Sequence, residues 1–170
     1  MKLMQLMSMI LAVCGVLSVN VIGGTIDVPG DFASIQEAVD ASSDGDEIIV
    51  APGTYTSAQD GHVVDMKGKA VTLRSSDGPE VTIIDGQQAR RGIAMFNDED
   101  EGTVISGFTI TNGYASPYDY DDDGDVIEFG SEFGGGVFHK SFSSVLAPRI
   151  ENCIITGNSG MAGGGVSLSG

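Results

Sequence analysis

Hydrophobic positions along the chain fall in short runs rich in Val, Ile and Thr, separated by Gly, Asn and Asp. Runs of this length and composition, bounded by turn-forming residues, are typical of β-strands. The pattern predicts strands at Thr25–Val28, Glu47–Val50, His62–Asp65, Ala70–Leu73, Val81–Ile84, Gly92–Phe96, Thr103–Ile110, Gly135–Phe138, Val145–Ile155 (with a break) and Gly165–Leu168. Pro52 and Gly53 are expected to end the strand Glu47–Val50.

One segment has a helical period instead. Ser34 and Glu37 form the capping-box pattern, in which the Ser side chain bonds the backbone three residues on and the Glu side chain reaches back. Apolar residues follow at i, i+3 and i+4, which places them on one side of a helix. These are Ile35, Ala38 and Val39, and the helix is expected to end near Ala41.

The strand pattern repeats. The segment 107–113, followed later by 133–138, has a near-copy at 150–165: an apolar run, then Thr and Asn, then a glycine triplet and another apolar run. The glycine triplets begin near Gly134 and Gly163, 29 positions apart. Repeats of about 20–50 residues indicate stacked units that share one core. The polar stretch 114–132 interrupts the period and is interpreted as an inserted loop.

Residues 26–41, together with 45–55, closely resemble the start of right-handed parallel β-helix proteins of the pectin lyase-like superfamily. The segments 81–86 and 107–113 resemble the next two circuits of that family. The resemblance implies an all-β fold, a right-handed parallel β-helix with one short N-terminal capping α-helix, over residues 25–170. Because a solenoid needs a polar cap at each end, the β-helix is expected to be incomplete at its C-terminus.

Two narrower resemblances bear on function. The segment 155–158 followed by 163–166 is similar to the repeat of polymorphic outer membrane proteins, with Ile155 where that family prefers Phe. The segment 32–40 resembles the opening of pectin methylesterases, but the Asp pair, Arg and Gln motifs of those enzymes are not visible here. The superfamily includes lyases, hydrolases, esterases and surface proteins, so the fold leaves the function open.

The formal net charge of −16 argues against nucleic acid as a partner, since phosphate contacts need clustered Lys and Arg. Residues 1–24, with Lys2 before an apolar stretch, are interpreted as a secretory signal peptide. The mature chain is then secreted or at the cell surface, with outer-membrane association left open and no stable membrane span. Cys153 would be its only cysteine, and its Ile-rich surroundings indicate a buried structural role.

The sequence 119–125 has carboxylates at alternate positions followed by a glycine, as in calcium-binding loops. It predicts a Ca²⁺ site at Asp119, Asp121, Asp123 and Asp125. The alternative is a solvated acidic loop, because the usual final bidentate ligand is missing. A second acidic run, 98–101, is interpreted as a solvated turn.

No set of catalytic residues is recognisable. The four arginines of the mature chain are expected on the surface, and His62 and His139 are expected to be structural. Asn112 and Asn158 follow strands at matching places in the repeat and predict an asparagine ladder between circuits.

The leading function is a non-catalytic surface module that contacts polysaccharide or another surface through its insertion loops. The alternative is the front part of a carbohydrate-active enzyme (lyase, hydrolase or pectin esterase) with catalytic circuits beyond residue 170. The ligand and the oligomeric state remain open.

Overall fold

The computed structural model describes residues 23–59, 61–115, 133–141, 147–160 and 163–169. These residues form one short helix and thirteen short strands. The helix α1 spans Ile35–Ala41. The strands are β1 Thr25–Val28, β2 Glu47–Val50, β3 Gly53–Tyr55, β4 His62–Asp65, β5 Thr72–Ser75, β6 Thr82–Asp85, β7 Arg91–Met95, β8 Val104–Ser106, β9 Thr109–Thr111, β10 Val137–Lys140, β11 Arg149–Glu151, β12 Ile154–Thr156 and β13 Val166–Ser169.

The described strands form three parallel sheets. The first sheet has the order β1-β2-β5-β8-β11, the second β3-β6-β9-β12, and the third β4-β7-β10-β13. From β2 onward the chain visits the three sheets in turn and then returns to the first. Four circuits therefore stack on one another, as in a parallel β-solenoid, and each circuit pairs only with its neighbours.

The register of the sheets stacks apolar side chains in columns. In the first sheet Ile48 pairs with Leu73 and Leu73 with Ile105, and all three are fully buried. In the third sheet Val64 is opposite Ile93, which is opposite Val137, again with full burial. Each such side chain contributes roughly 1.5–3 kcal/mol through its removal from water. The columns explain how a repeat of short strands holds together, and Cys153, the one cysteine among the described residues, is a free thiol.

Helix α1 closes the end of the solenoid at β1. Ser34 accepts a hydrogen bond from the Glu37 backbone N–H, and the Glu37 carboxylate accepts one from the Ser34 N–H, so the predicted capping box is confirmed. At the other end of the helix, the ammonium of Lys69 donates to the carbonyl oxygens of Val39, Asp40 and Ser42. The buried face consists of Ile35, Ala38 and Val39, as the sequence predicted.

Several strand predictions need correction. The strand β2 spans Glu47–Val50 as predicted, but Gly53 then begins β3, a strand that the sequence did not predict, and its N–H donates to the Val81 carbonyl at 2.9 Å. The strand β3 is held by pairing with β6, not by local strand preference. The segment 103–110 is two strands and not one, because Gly107 turns the chain with φ +80° between β8 and β9. The strand predicted at 70–73 begins and ends two residues later, and so does the strand predicted at 135–138.

The predicted asparagine ladder is wrong in its register. Thr111 pairs with Thr156, so Asn112 lies opposite Gly157, while Asn158 lies opposite Gly113. Asn158 accepts from the Gly113 N–H at 2.7 Å and donates to the Ile110 carbonyl at 2.9 Å. Asn112 donates to a carboxylate oxygen of Asp85 at 3.0 Å. Each asparagine thus ties one circuit to the one before it, but through different partners.

The glycine triplets lie where the backbones of neighbouring circuits approach. Gly134 and Gly163 both have positive φ, and the Gly134 N–H donates to the Gly163 carbonyl at 3.0 Å, so the 29-residue period is confirmed. A Cβ atom at Gly135 would lie 2.0 Å from the Ser159 carbonyl oxygen. Only glycine fits such an approach without moving the backbone.

Candidate functional site

The predicted calcium ligands Asp119, Asp121, Asp123 and Asp125 lie outside the described residues, as do residues 1–22 of the predicted signal peptide 1–24 and most of the insertion 114–132. Within the part of the chain that the structure describes, no group of three or more His, Cys, Asp or Glu side chains is arranged to hold a metal ion. Among the same residues, no helix is long and apolar enough to cross a bilayer. The site is therefore sought among the described strands and their loops.

A groove runs beside α1, where the helix, the loop after β3 and the start of β4 meet. It encloses about 280 Å³ and is called here the helix-side groove. Its walls mix hydroxyl, amide, carboxylate, ammonium, imidazole and aromatic groups. They comprise Ser34, Ile35, Gln36, Glu37, Asp40, Tyr55, Thr56, Ser57, Ala58, Gln59, His62, Val63 and Lys67.

The helix wall of this groove is held in place by bonds to β4. The Gln36 side chain accepts from the Asp65 N–H at 2.7 Å and donates to the Asp65 carbonyl at 3.1 Å, as a further strand of the third sheet would. Gln36 also donates to a carboxylate oxygen of Asp40 at 3.0 Å. The Lys67 ammonium nitrogen lies 3.2 Å from Asp40 Oδ1, so Asp40 is also held by an ion pair. The polar groups of the wall are thus pre-oriented, which lowers the entropy lost on binding.

The opposite wall carries the aromatic group of the groove. The Tyr55 hydroxyl donates to the Ala51 carbonyl at 2.9 Å, which fixes the ring over the loop. Burial raises the pKa of Tyr55 above its ordinary value, so the phenol keeps the proton that it donates to Ala51. Thr56 and Gln59 beside it are exposed. An aromatic ring beside hydroxyl and amide groups offers both an apolar surface and hydrogen-bond partners.

His62 stands at the floor of the groove. Its Nε2 lies 3.9 Å from Asp65 Oδ2, and its ring is tilted against Phe96 at a centroid distance of 6.2 Å. Asp65 is almost fully buried and accepts from the Lys67 N–H at 3.0 Å. The His62 ring is therefore held by packing and by a neighbouring carboxylate.

Behind the floor lies a buried polar cluster on the third sheet. Arg91 is fully buried, although the sequence predicted a surface position. Its guanidinium donates to the carbonyl oxygens of Phe133 and Gly134, each at 3.0 Å. It also lies over the rings of Phe96 and Phe138, at 5.6 and 4.9 Å from their centroids. Carbonyl bonds and aromatic faces compensate for its burial, so Arg91 stabilises the sheet and does not reach solvent.

Glu99 is the second buried charge that the sequence did not predict. It belongs to the run 98–101, which was interpreted as a solvated turn, yet only 1% of its surface is exposed. Its carboxylate accepts from the Gly68 and Asn97 N–H groups at 2.8 and 3.0 Å. Burial raises the pKa of Glu99, the nearby Asp65 charge raises it further, and the backbone N–H groups act in the opposite direction. His139, also buried, contacts the Glu99 carbonyl at 3.3 Å.

The remaining candidates have structural roles. Asp85, the last residue of β6, accepts from the Gln87 N–H and from Asn112, and so supports the turn that follows the strand. Arg74 pairs with Glu47 on the outer side of the first sheet. Burial raises the pKa of the Cys153 thiol, which disfavours a thiolate nucleophile. His139 is buried, in agreement with its predicted structural role, whereas Cys153 is only partly buried and packs against the core from its edge.

Sequence reasoning missed the helix-side groove. Its only sequence signal is the polar loop 56–61, which contains Ser, Gln and Gly and follows an aromatic residue. The groove forms because α1 packs across the first circuit, and the polar loop after β3 lies beside the helix. No family model, no curated protein and no solved structure matches this chain.

Proposed function

We propose that this protein is a secreted or cell-surface right-handed parallel β-helix module of the pectin lyase-like type that binds polysaccharide without cleaving it. The observation that carries the proposal is the helix-side groove, in which Tyr55 stands beside hydroxyl and amide groups. Sugars present hydroxyl groups around an apolar ring face, and such a wall complements both. The parallel three-sheet solenoid and the capped N-terminal helix are consistent with the proposed family.

The charge of the molecule favours a neutral polysaccharide. The formal net charge is −16, and the groove itself carries Glu37 and Asp40 together with Lys67, which is paired with Asp40. A polyuronate would be repelled at long range by this field, because like charges reduce the rate of encounter. Neutral glycans are unaffected by it and would rely on hydrogen bonds and ring contact.

The binding site is tested by comparing a double variant inside the groove with a threonine variant outside it. The full chain is titrated with neutral and acidic polysaccharides, and Kd is measured by calorimetry. The double variant Thr56→Ala, Gln59→Ala removes two exposed polar groups of the groove and is expected to weaken binding about tenfold or more, at 0.5–1.5 kcal/mol per lost hydrogen bond. Thr54→Ala, two residues earlier and outside the groove, is the matched control and should bind as the parent does.

A second candidate is a carbohydrate-active enzyme, because the groove contains two carboxylates and His62. The same incubations are therefore analysed for reducing ends and for unsaturated products. Product formation would replace the binding module by an enzyme. Binding that is lost in the groove variant, without products, supports the module. Absence of binding to every glycan, or equal binding by the groove variant, contradicts the proposed site.

A further inference from the structure

Three segments stack at the corner of the solenoid beside helix α1. The first is α1 itself, the second is the turn 66–69 between β4 and β5, and the third is the loop 96–103 between β7 and β8. The turn and the loop both connect the third sheet to the first, so they hold the same place in successive circuits. Asp40 on α1 and Lys67 on the turn line the helix-side groove. The groove therefore borders the first two of these segments.

The turn 66–69 holds the helix through two lysine side chains. The Lys67 ammonium nitrogen lies 3.2 Å from Asp40 Oδ1. The Lys69 ammonium donates to three carbonyl oxygens at the C-terminal end of α1, those of Val39, Asp40 and Ser42, at 2.6, 2.8 and 2.8 Å. A helix of seven residues is too short to be stable by itself. The place of α1 beside the groove therefore depends on the place of the turn.

The turn itself has a backbone conformation that its surroundings must hold. Lys67 and Gly68 have φ +55° and +70°, and the Lys69 N–H donates to the Met66 carbonyl at 3.1 Å, as in a type I′ turn. The left-handed region is unfavourable for a residue with a side chain, such as Lys67. The Asp65 carboxylate supports the turn from β4, because it accepts from the Lys67 N–H at 3.0 Å. This bond leaves the second central residue of the turn, Gly68, to be held from elsewhere.

Glu99 in the loop 96–103 holds Gly68 from the next circuit. Its Oε1 accepts from the Gly68 N–H at 2.8 Å, and its Oε2 accepts from the Asn97 N–H at 3.0 Å. The carboxylate is almost completely buried, and hydrogen bonds to an ionised group are about twice as strong as those between neutral groups. A Cβ atom at Gly68 would lie 2.8 Å from the Asn97 carbonyl oxygen, so a glycine is needed for this approach of the turn to the loop. The Thr103 hydroxyl adds a bond to the Lys69 carbonyl at 2.9 Å.

We propose that Glu99 is a positioning residue of the helix-side groove. It fixes the turn 66–69 from the next circuit, and the turn fixes the α1 wall of the groove through Lys67 and Lys69. Glu99 does not line the groove, so it acts on the wall through the turn. This role gives a reason for the burial of a carboxylate, which is costly unless its hydrogen bonds compensate. That the wall binds a glycan rests on the function proposed above, whereas the effect of Glu99 on the wall does not.

The first test measures amide hydrogen exchange of the full chain without a ligand. Glu99→Gln keeps the shape of the side chain, but its amide has only one oxygen to accept from the two N–H groups. The variant is expected to speed exchange at least about tenfold in the turn 66–69 and about threefold in α1. Amides of β6 and β9, in the second sheet, should change by less than about twofold. Glu101→Gln, an exposed residue of the same acidic run, is the matched control and should change none of these segments.

A second variant tests the same contact if Glu99→Gln does not fold. Thr103→Val removes only the bond from the loop to the Lys69 carbonyl, and it should speed exchange in the turn and in α1 by a smaller factor. Circular dichroism confirms that each variant is folded. Equal acceleration in β6, β9 and α1 would show a general loss of stability, and unchanged exchange in α1 would show that the turn does not carry the effect. Either result overturns the proposal.

The second test measures Kd for the neutral hexasaccharides of glucose, xylose and mannose by calorimetry. Glu99→Gln and Lys67→Met are each expected to weaken binding at least about threefold, while Glu101→Gln should bind as the parent does. Because both changes act on one turn, the loss in the double variant E99Q/K67M should be smaller than the product of the two single losses. Losses that multiply, or a Kd unchanged by Glu99→Gln, overturn the proposal. If none of these sugars binds the parent, the proposed function is contradicted, and the exchange pattern alone decides the role of Glu99.

Discussion

Arg91 is a single residue that connects two separate parts of the third sheet. Its guanidinium bonds two backbone carbonyls and lies over two aromatic rings, so one side chain connects β7 with the chain before β10. A buried cation of this kind is tolerated only while its partners remain in place. The contribution of Arg91 to the free energy of unfolding is therefore large for one residue, and it depends on the position of its partners as much as on its charge.

Arg91→Met is expected to lower the free energy of unfolding by about 3 kcal/mol or more, because the Phe133 and Gly134 carbonyls lose a buried donor. The free energy is measured by denaturant titration of the full chain. Arg74→Met is the matched control. Arg74 is paired with Glu47 at a partly exposed site, so its replacement should lower the free energy of unfolding by less than about 1 kcal/mol. Equal effects of the two variants would contradict the structural role of Arg91.

Glu99 gives the stability a specific pH dependence. Burial raises the pKa of Glu99 above its ordinary value of 4.5, so the folded chain binds this proton more tightly than the unfolded chain. Between 4.5 and the raised folded pKa, its contribution to stability therefore falls as pH rises. Glu99→Gln cannot titrate and should make the decline of Tm above pH 4.5 shallower. Glu101→Gln, the exposed neighbour, controls for the loss of one carboxylate. Identical slopes for Glu99→Gln and the parent would contradict this account.

At the scale of one element, α1 performs two tasks. It covers the apolar end of the first circuit with Ile35, Ala38 and Val39, and it offers Gln36 to β4 in place of another strand. The helix has only seven residues, so it depends on its caps and on packing. The capping box and Lys69 supply the bonds that its two ends lack.

Ser34→Ala removes the capping side chain and is expected to destabilise the protein by about 1 kcal/mol. The change is read as a lower midpoint in denaturant at unchanged slope. Ser43→Ala, in the loop after the helix, replaces the same residue type outside the cap and should be near neutral. Because the helix forms one wall of the helix-side groove, Ser34→Ala should also weaken glycan binding. A loss of binding without a loss of stability would instead point to direct contact by Ser34.

On the scale of the whole molecule, the stacking of apolar side chains stabilises the fold, and the negative net charge destabilises it. Four circuits bury continuous columns of Ile, Leu and Val, while the excess of acidic residues repels itself. Repulsion of this kind weakens as ionic strength rises, because counterions screen it. A specifically bound cation would act in addition to that screening.

Calcium should raise Tm beyond the effect of sodium chloride at equal ionic strength, if the motif at Asp119, Asp121, Asp123 and Asp125 binds it as the sequence predicts. Melting is followed in calcium, magnesium and sodium solutions matched for ionic strength. Asp121→Asn with Asp123→Asn should remove the additional increase. Asp98→Asn with Asp100→Asn, in the other acidic run, provides a control of equal charge. No difference between calcium and sodium would favour the solvated-loop interpretation.

The sequence alone determined the features that depend on neighbours along the chain. The capping box, the apolar side of α1, most strands and the glycine period were all predictable, because turn chemistry and hydrophobic periodicity are local. The strand β4 agrees with its prediction at both ends. The parallel stacking followed from the repeat, since units that cannot bury a core alone must bury it together.

Only the tertiary structure decided what depends on residues far apart in sequence. Glycine begins β3 because β6 lies beside it, and Arg91 and Glu99 are buried because backbone groups of other circuits surround them. The helix-side groove likewise needs α1 and the loop after β3 side by side. A charged residue in a strand or an acidic run looks exposed in the sequence, since the partners that compensate for its burial come from another circuit. For this reason the sequence predicted the solenoid but not its candidate site.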